Sequence, residues 1–396
     1  MKIVISTAGR FHLFALAREL EKRDHLERIY SGFIWRALAR EDVPRDKVTT
    51  FPWFRTPYVA LGRLPTTLPR HFSRWLETMS CVAQDAYVAR RLPPCDVFIG
   101  HDGAGLEAGK QARRLGYGYV TDTGTSHVGF RRKLMQEECA SYGVPKFIEN
   151  HTINRRMLEE YEIADAITVP SIFVKNSFVD QGIPAGKIHV IPYGVRAAHF
   201  RPVSEPPADL FRVLFVGGLS IRKGARYLFE AFRDFPHPCK ELVIVGAIAD
   251  EVRPLVASFG DLNVKILGPI PNMELNRIYS TSHAFVLPSI EEGLGMVMAE
   301  ALACGCPVIA STNTGAADLF THGEEGLIVP IRNSNAIRDC LIRLADEPKL
   351  RARMAAAAVE RVKELGGWST YGGKYSKFLV AINNARGRVG YNDCLL

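Results

Sequence analysis

Short apolar runs rich in β-branched residues alternate with longer stretches of helical pattern along the whole chain. The first half holds five candidate strands: KIVIS (2–6), DVFIG (96–100), YGYVTD (117–122), AITVP (166–170) and KIHVIP (187–192). The series restarts in the second half with six: FRVLFVG (211–217), ELVIVG (241–246), NVKILG (263–268), AFVLPS (284–289), PVIAS (307–311) and GLIVP (326–330). This alternation predicts an α/β protein with mostly parallel sheets, because parallel strands need helical crossovers between them.

The chain between the two series is rich in proline and has no period. We therefore predict a linker over residues 196–208, an N-terminal domain over 1–195 and a C-terminal domain over 209–366. A chain of 396 residues with 47% hydrophobic positions is long enough for two cores. Two doubly wound domains would face each other across a cleft, and ligands in such folds bind beyond the carboxyl ends of the strands.

Charge and cysteine usage narrow the class further. The formal net charge of +8 suits an anionic ligand, a nucleic acid or an acidic membrane surface, but the charge is dispersed and we expect no nucleic-acid partner. The eight cysteines show no CxxC spacing, which predicts free thiols in a reducing cytosol and no zinc site. The N-terminus MKIVISTAGR is a strand and a turn, and no apolar run approaches a membrane span, so we expect a cytosolic or peripheral protein.

One carboxylate is out of place in the stretch SIEEGLGMVMAEALACGCPVIAS (289–311). From residue 296 to residue 304 every side chain is apolar or small except that of Glu300, and the run leads directly into a strand. We expect a helix to begin near Gly295, so that the preceding loop crosses the carboxyl edge of its strand and Glu292 lies in the cleft. At 1.5 Å per helical residue the two carboxylates are on the order of 10 Å apart.

Between these acids, Gly293, Leu294 and Gly295 would offer backbone N–H groups at the positive end of the helix. A carboxylate, an anion hole and a second carboxylate in a row complement a sugar, a diphosphate and a ribose, whose hydroxyls would make the charge of Glu300 tolerable. The alternative is a capped amphipathic helix with a solvated Glu300. We favour the ligand because glycine serves close backbone approach better than helix initiation.

A second candidate for anion binding is FVGGLSIRKG (215–224), a strand that runs into a glycine turn with Arg222 and Lys223 at the start of a helix. Cations there oppose the helix dipole, so an anion should compensate them, and a diphosphate leaving group would do so. A surface turn with two solvated bases is the alternative interpretation.

The two motifs around Glu292 and Lys223 resemble those of a known family. EGLGMVMAE (292–300) resembles the Glu-x7-Glu signature of the retaining GT-B glycosyltransferases of family 4. Three other segments, 215–224, 171–195 and 313–320, are similar to other parts of that family. The resemblance implies two Rossmann-like domains, a nucleotide-sugar donor held mainly by the C-terminal one, no metal or other cofactor, and retention at the anomeric carbon. The tail 367–385 resembles the helix that crosses back onto the first domain in this fold.

The resemblance also implies roles for single residues. Glu292 would bind the donor sugar, Glu300 the ribose and Lys223 the diphosphate, with the backbone from Gly293 to Met296 along the donor. The family usually has Arg where this chain has Gly218, so Arg222 is expected to take over that phosphate contact.

The N-terminal half offers fewer candidates. Gly9 and Arg10 follow the first strand and would face the cleft near the donor, as the family's first loop does, although Arg10 could equally be a solvated turn residue. Asp122 and His127 follow the strand YGYVTD, which would bring both to the cleft. The family tends to place a polar or His residue there that touches the donor sugar, so His127 is a catalytic candidate, with an ordinary loop histidine as the alternative.

Two other functions compete with this interpretation. HDGAGLEAG (101–109) places Gly103, Gly105 and Ala108 after a strand, with Asp122 about 20 residues on, which is the fingerprint of an NAD-dependent oxidoreductase. That function would leave Glu292 and Glu300 without a purpose. A sugar-binding protein without catalysis is the other competitor, and the presence of Lys223 with both acids speaks against it.

The segment 51–75 mixes aromatic residues, prolines and four arginines. It predicts either a loop that contacts an acidic membrane or a lipid-linked acceptor, or a packed irregular connection. Taken together, the sequence predicts a retaining glycosyltransferase that moves a hexose to a sugar or lipid-linked saccharide hydroxyl, in surface polysaccharide or glycolipid synthesis. We expect it in the cytoplasm, with the inner membrane face as the place of any peripheral contact.

Overall fold

Two parallel sheets, one after the other along the chain, form the framework of the protein. A computed structural model describes residues 1–62, 69–144, 147, 149–195 and 199–393, and for residues 11, 70 and 386–393 it describes the backbone only. The strands of the first sheet are β1 (Ile3–Thr7), β2 (Leu26–Ser31), β3 (Val48–Thr50), β4 (Val97–His101), β5 (Gly118–Asp122), β6 (Ala166–Val169) and β7 (Ile188–Val190). Their order in the sheet is β3-β2-β1-β4-β5-β6-β7.

The second sheet repeats this plan with six strands in the order β10-β9-β8-β11-β12-β13. They are β8 (Phe211–Val216), β9 (Lys240–Val245), β10 (Val264–Gly268), β11 (Ala284–Leu287), β12 (Val308–Ser311) and β13 (Gly326–Val329). In both sheets the first strand lies at the centre and the order reverses beside it, which is the doubly wound arrangement. The predicted fold class, two Rossmann-like α/β domains, is confirmed.

Helices cover both faces of each sheet. The helices of the first domain are α1 (Phe11–Glu21), α2 (Trp35–Leu38), α3 (Arg55–Leu61), α4 (Arg70–Ala89), α5 (Leu106–Arg114), α6 (Val128–Ser141), α7 (His151–Ile163) and α8 (Ile172–Val179). Those that follow are α9 (Ala225–Asp234), α10 (Arg253–Ala257), α11 (Leu275–Ser280), α12 (Met296–Ala303), α13 (Ala316–Leu319), α14 (Ser334–Asp346), α15 (Pro348–Leu365) and α16 (Trp368–Asp393). None of them, within the described residues, is long and apolar enough to cross a membrane.

Burial on both faces explains why most strands could be predicted. Every residue of β1, β6, β11 and β12 is buried, so these strands are continuous apolar or small-residue runs without alternation. All eleven predicted strands are present with shifts of one or two residues at their ends. The strands β2 and β3 had not been predicted.

The last helix returns to the first domain. Arg23 in the turn after α1 donates to the backbone oxygen of Ser369 in α16 at 3.0 Å, and the hydroxyl of Tyr375 donates to Asp122 at the end of β5 at 3.1 Å. The predicted linker 196–208 lies between β7 and β8, and of it the described residues 199–208 form no helix or strand. Residues 196–198 of that prediction are outside the described part of the chain.

Candidate active site

Loops from both domains meet at the carboxyl edges of the two sheets. The loop between β11 and α12 carries Glu291 and Glu292, and the loop between β8 and α9 carries Arg222 and Lys223. The first domain contributes the loop after β5, with Ser126, and the start of α8. Because parallel strands end at one edge, residues far apart in the sequence come together there.

Glu292 is bound by both predicted cations. Its Oε2 accepts a hydrogen bond from Arg222 Nη1 at 3.1 Å and forms an ion pair with the ammonium of Lys223. The side chain of Glu292 is 19% exposed and that of Lys223 is 12% exposed, so the pair is only partly open to water. The expected proximity of the two loops is therefore observed, and the contact is direct.

Burial and charge act against each other on these groups. Burial alone would raise the pKa of Glu292, but Lys223 and Arg222 outweigh it and lower that pKa. Burial lowers the pKa of Lys223, and Glu292 reverses only part of that shift. Burial would lower the pKa of Arg222, but the carboxylates of Glu292 and of the neighbouring Glu291 outweigh it and raise that pKa. Two acids and two bases thus form a compact network with no net charge.

Glu291 is a member of this network that the sequence analysis did not single out. Its side chain has no exposed surface, and its Oε1 accepts from the backbone N–H of Ser126 at 2.9 Å and from the Ser126 hydroxyl at 2.8 Å. Arg222 Nη1 donates to the backbone oxygen of Glu291 at 2.7 Å. One buried carboxylate therefore contacts both domains, and the doubled acid in IEEG was its only trace in the sequence.

The glycines before α12 lie against protein. A Cβ on Gly293 would come within 1.8 Å of the backbone oxygen of Gly124 in the other domain, and one on Gly295 within 2.6 Å of Leu287. The N–H of Gly295 donates to the backbone oxygen of Thr314 at 3.1 Å. Two expectations are thus corrected: these glycines are required by packing within the protein, and Gly295 does not offer its N–H group to a ligand.

Leu294 and Met296 complete this stretch. Leu294 is buried and its Cδ1 lies close to Gly315, which has a φ of +70°. Met296 is the first residue of α12 and is half-buried. The N–H of Glu292 donates to the backbone oxygen of Asn313 at 2.9 Å, so the segment after β12 is hydrogen-bonded to the loop between β11 and α12.

Glu300 is the fifth residue of α12 and is held by two donors from neighbouring elements. Asn272 Nδ2 and the hydroxyl of Tyr279 each donate to its carboxylate at 3.0 Å. Asn272 follows β10, so this carboxylate lies on the same sheet edge as Glu292. Ribose hydroxyls are therefore not needed to explain the charge of Glu300, which corrects that part of the prediction, and the half-buried side chain keeps part of its surface open.

Gly9 and Gly218 border open space, in contrast to the glycines before α12. The nearest atom to a Cβ would be Thr7 Oγ1 at 3.7 Å for Gly9 and the Ala247 oxygen at 4.0 Å for Gly218. Arg10 donates to the backbone oxygen of Ala37 at 2.9 Å, and its guanidinium carbon lies 5.2 Å from the centre of the Phe33 ring. Arg10 is therefore attached to its own domain, and its donor contact stays a prediction.

Asp122 is buried, which corrects its expected position in the open cleft. Its Oδ1 is hydrogen-bonded to the ring Nε2 of His12 in α1, and Oδ2 accepts from the hydroxyls of Thr168 at 2.7 Å and Tyr375 at 3.1 Å. Burial would raise the pKa of Asp122, but His12 and the hydrogen bond from Thr168 lower it. Its side chain thus joins α1, β6 and α16. His12 was missed because it follows an aromatic residue at the start of an apolar helix pattern.

His127 is also buried, with 5% of its surface exposed. Its Nδ1 accepts from the N–H of Gly129 at 3.1 Å and so caps α6, and its ring packs edge-on against Phe178 and beside Tyr161. Burial, with a contribution from Arg131, lowers the pKa of His127 to about 4. The ring is therefore buried rather than turned into the cleft, and the catalytic role of His127 stays a prediction.

The dinucleotide fingerprint is occupied by the protein's own acids. The N–H groups of Gly103 and Gly105 donate to Glu160 at 2.7 and 3.0 Å, and the N–H of Ala108 donates to Asp85 at 2.9 Å. These amides are the ones that a pyrophosphate would need. Since Asp122 is buried as well, the structure does not support the oxidoreductase alternative.

Outside this network, the part of the chain that the structure describes offers few other features with ligand chemistry. The described residues contain no group of three or more His, Cys, Asp or Glu side chains that could hold a metal ion. In segment 51–75, Trp53 is 72% and Trp75 is 49% exposed, while residues 63–68 lie outside the described part. A cavity of about 560 Å³ lies between the linker and α15 and shares no residue with the network around Glu292.

Family models match both halves of the chain. The model of "Glycosyltransferase Family 4" matches residues 10–199, and that of "Glycosyl transferases group 1" matches residues 198–361. Together with the two Rossmann-like domains, these matches define the class as the GT-B glycosyltransferases. The chain belongs to family 4 of that class.

Curated relatives agree with this family. The chain is 31% identical over 234 residues to the D-inositol 3-phosphate glycosyltransferase of Acidothermus cellulolyticus, with 52% of this chain and 51% of the relative covered. It is 28% identical over 243 residues to the GDP-mannose-dependent alpha-(1-6)-phosphatidylinositol monomannoside mannosyltransferase of Mycobacterium tuberculosis, with 56% and 63% covered. The chain thus spans about half to two thirds of the length of these relatives.

Solved structures share the fold over nearly the whole chain. The sucrose-phosphate synthase of Thermosynechococcus elongatus superposes with a TM-score of 0.73 at 21% identity, over 97% of this chain and 100% of the other. Anabaena Alr3699/HepE in complex with UDP and glucose gives a TM-score of 0.72 at 18% identity, over 96% and 100%.

Proposed function

We propose that the protein is a retaining glycosyltransferase that moves a hexose from a nucleotide sugar to the hydroxyl of a sugar or a lipid-linked saccharide. The observation that carries this proposal is the network at the start of α12, where Glu292 meets Lys223 and Arg222 while Glu300 lies further along the same helix. Membership of family 4 supports the reaction class.

The chemistry asks above all for stabilisation of the leaving group. Negative charge develops on the phosphate as the anomeric bond breaks, and cations that are already in place stabilise it without reorganisation. Lys223 and Arg222 are held beside Glu292 in this way. A donor diphosphate would share these cations with Glu292, whose carboxylate would then also accept hydrogen bonds from the sugar.

Retention is proposed because no separate base is needed. The side chain of Glu291 has no exposed surface, and Glu292 is bound by two cations. In the family's usual mechanism the departing phosphate takes the proton of the acceptor hydroxyl on the same face of the sugar. The protein then has to hold the donor and the acceptor in register, which the two facing domains would do.

The acceptor side is proposed to lie near an anionic lipid surface. The rings of Phe72 and Trp75 stack with centres 5.8 Å apart, and both side chains are exposed beside Arg74. Aromatic rings and arginines together suit the interface of an acidic bilayer. Sedimentation with anionic and with neutral liposomes, each at low and high salt, tests this: binding that is equal to both would refute it.

Release of nucleotide from a donor tests the proposed function. A thermal-shift panel with UDP-, GDP- and ADP-sugars selects the donor, and a glycosyltransferase should then release nucleoside diphosphate from it slowly even without an acceptor. A sugar-binding protein would be stabilised but would release none. No stabilisation and no release with any of the three would refute the proposal.

A further inference from the structure

Glu291 is the one described acid of this site whose charge is shared between the two domains. Its Oε1 accepts both hydrogen bonds of Ser126, and its Oε2 lies 3.5 Å from Arg222 Nη1. A carboxylate out of water is costly unless its oxygens are paired, and here the pairing comes from opposite sides of the cleft.

We propose that Glu291 is a positioning residue that makes the placement of Arg222 depend on contact between the domains. When the domains part, both donors of Ser126 leave Oε1. The most accessible replacement is the guanidinium of Arg222, which would then turn towards Glu291 and away from Glu292. The guanidinium of Arg222 is thus beside Glu292 only when the two domains are in contact. This inference rests on the proposed function only where it concerns turnover.

A carboxylate is needed at this position because both of its oxygens accept. In Glu291→Gln one oxygen becomes an NH₂ group that only donates. Towards Ser126 it would oppose a backbone N–H that cannot accept, and only the hydroxyl could turn to accept from it; towards Arg222 it would oppose a guanidinium, which cannot accept. The variant keeps the size of the side chain, so a change that it causes reflects the lost acceptor and the lost negative charge rather than a cavity.

Another contact between the domains provides the matched control. The hydroxyl of Tyr142, after α6, accepts from the backbone N–H of Arg226 in α9 at 2.9 Å, and the Arg226 guanidinium lies over the Tyr142 ring. Tyr142→Phe keeps the ring and removes this hydrogen bond. It weakens the contact between the domains at a place that does not touch Arg222.

Amide hydrogen exchange tests the link without any substrate. The N–H of Ser126 is bound to Glu291, so its exchange reports on that bond. We expect faster exchange at Ser126 in Glu291→Gln, and slower exchange in Arg222→Ala, because without Arg222 the carboxylate of Glu291 has no replacement partner when the domains part. Lys223→Ala should leave the exchange unchanged, because Lys223 is hydrogen-bonded to Glu292 rather than to Glu291. Equal exchange in the Arg222 and Lys223 variants would overturn the inference.

Turnover provides the second readout, measured as nucleotide release from UDP-glucose, GDP-mannose and ADP-glucose. Glu291→Gln should lower kcat about tenfold or more with KM for the donor changed by about twofold at most, whereas Tyr142→Phe should leave kcat within about twofold. Equal kcat in these two variants would overturn the inference. If the wild type releases no nucleotide, the proposed function fails, and the exchange comparison still decides whether Glu291 links Ser126 to Arg222.

Discussion

Replacing Gly293 by alanine should separate the two domains at the site while leaving each domain folded. The new Cβ would lie 1.8 Å from the backbone oxygen of Gly124, whereas such contacts essentially never fall below 3.0 Å. The loop after β5 would have to retreat by about 1 Å or more. A side-chain rotation cannot relieve this contact, because the backbone fixes the position of the Cβ and the other atom is a backbone oxygen.

The cost can be worked from the hydrogen bonds that this retreat breaks. Ser126 gives two to the buried Glu291, and Ser171 Oγ gives one to the backbone oxygen of Gly293 at 2.6 Å. A hydrogen bond to a charged group is worth about 1.5–3 kcal/mol. The two bonds to Glu291 are together worth about 3–6 kcal/mol, and their loss from the arrangement needed for turnover corresponds to a decrease in kcat of about 100-fold to 10,000-fold or more.

The assay is nucleotide release from the selected donor, with circular dichroism as the check on folding. Gly186→Ala is the control, because Gly186 lies on the surface before β7 and its Cβ would meet nothing within 4 Å. We expect unchanged secondary structure in both variants and loss of turnover in Gly293→Ala alone. Equal turnover in the two variants would refute the idea that the observed contact between the domains belongs to the active form.

Three further predictions concern single side chains. Glu292→Gln should lower turnover about 100-fold or more while nucleoside diphosphate still binds, since the acid acts on the sugar; a parallel loss in calorimetric affinity would contradict this role. Glu300→Gln should weaken binding of nucleoside diphosphate by about 10- to 100-fold, and undiminished affinity would show that Glu300 does not hold the ribose. Burial lowers the pKa of His127 to about 4 in the folded protein, whereas in the unfolded chain its pKa is the ordinary 6.5. Between these two values the unfolded chain binds a proton that the folded protein does not. Stability should therefore fall as pH drops from 6.5 towards 4, by on the order of 3 kcal/mol from this group, and His127→Asn should melt with a shallower pH dependence; identical slopes would exclude the effect.

The framework could be predicted from the sequence because most strands are buried on both faces. Apolar runs such as AFVLPS keep their character whatever lies around them. The strand β2 (LERIYS) escaped because Glu27 and Arg28 interrupt its apolar residues, and β3 has only three residues at the sheet edge. Such strands form because they pair with a neighbouring strand, and a local sequence pattern carries no information about that pairing.

The candidate site was predictable where it depends on the ends of strands. Lys223 and Glu292 follow neighbouring strands, β8 and β11, so their meeting follows from the topology. The partners of Glu291 could not be foreseen, since Ser126 is 165 residues away in the other domain. The orientation of His127 was missed for the same reason, because the rings that bury it come from α7 and α8.

A crystal structure with the nucleoside diphosphate that stabilises the protein most would test the central claim directly. We predict the diphosphate within hydrogen-bonding distance of Lys223 and the ribose hydroxyls at the carboxylate of Glu300, between the two domains. Nucleotide bound at the loop 103–108, or in the cavity between the linker and α15, would contradict the account.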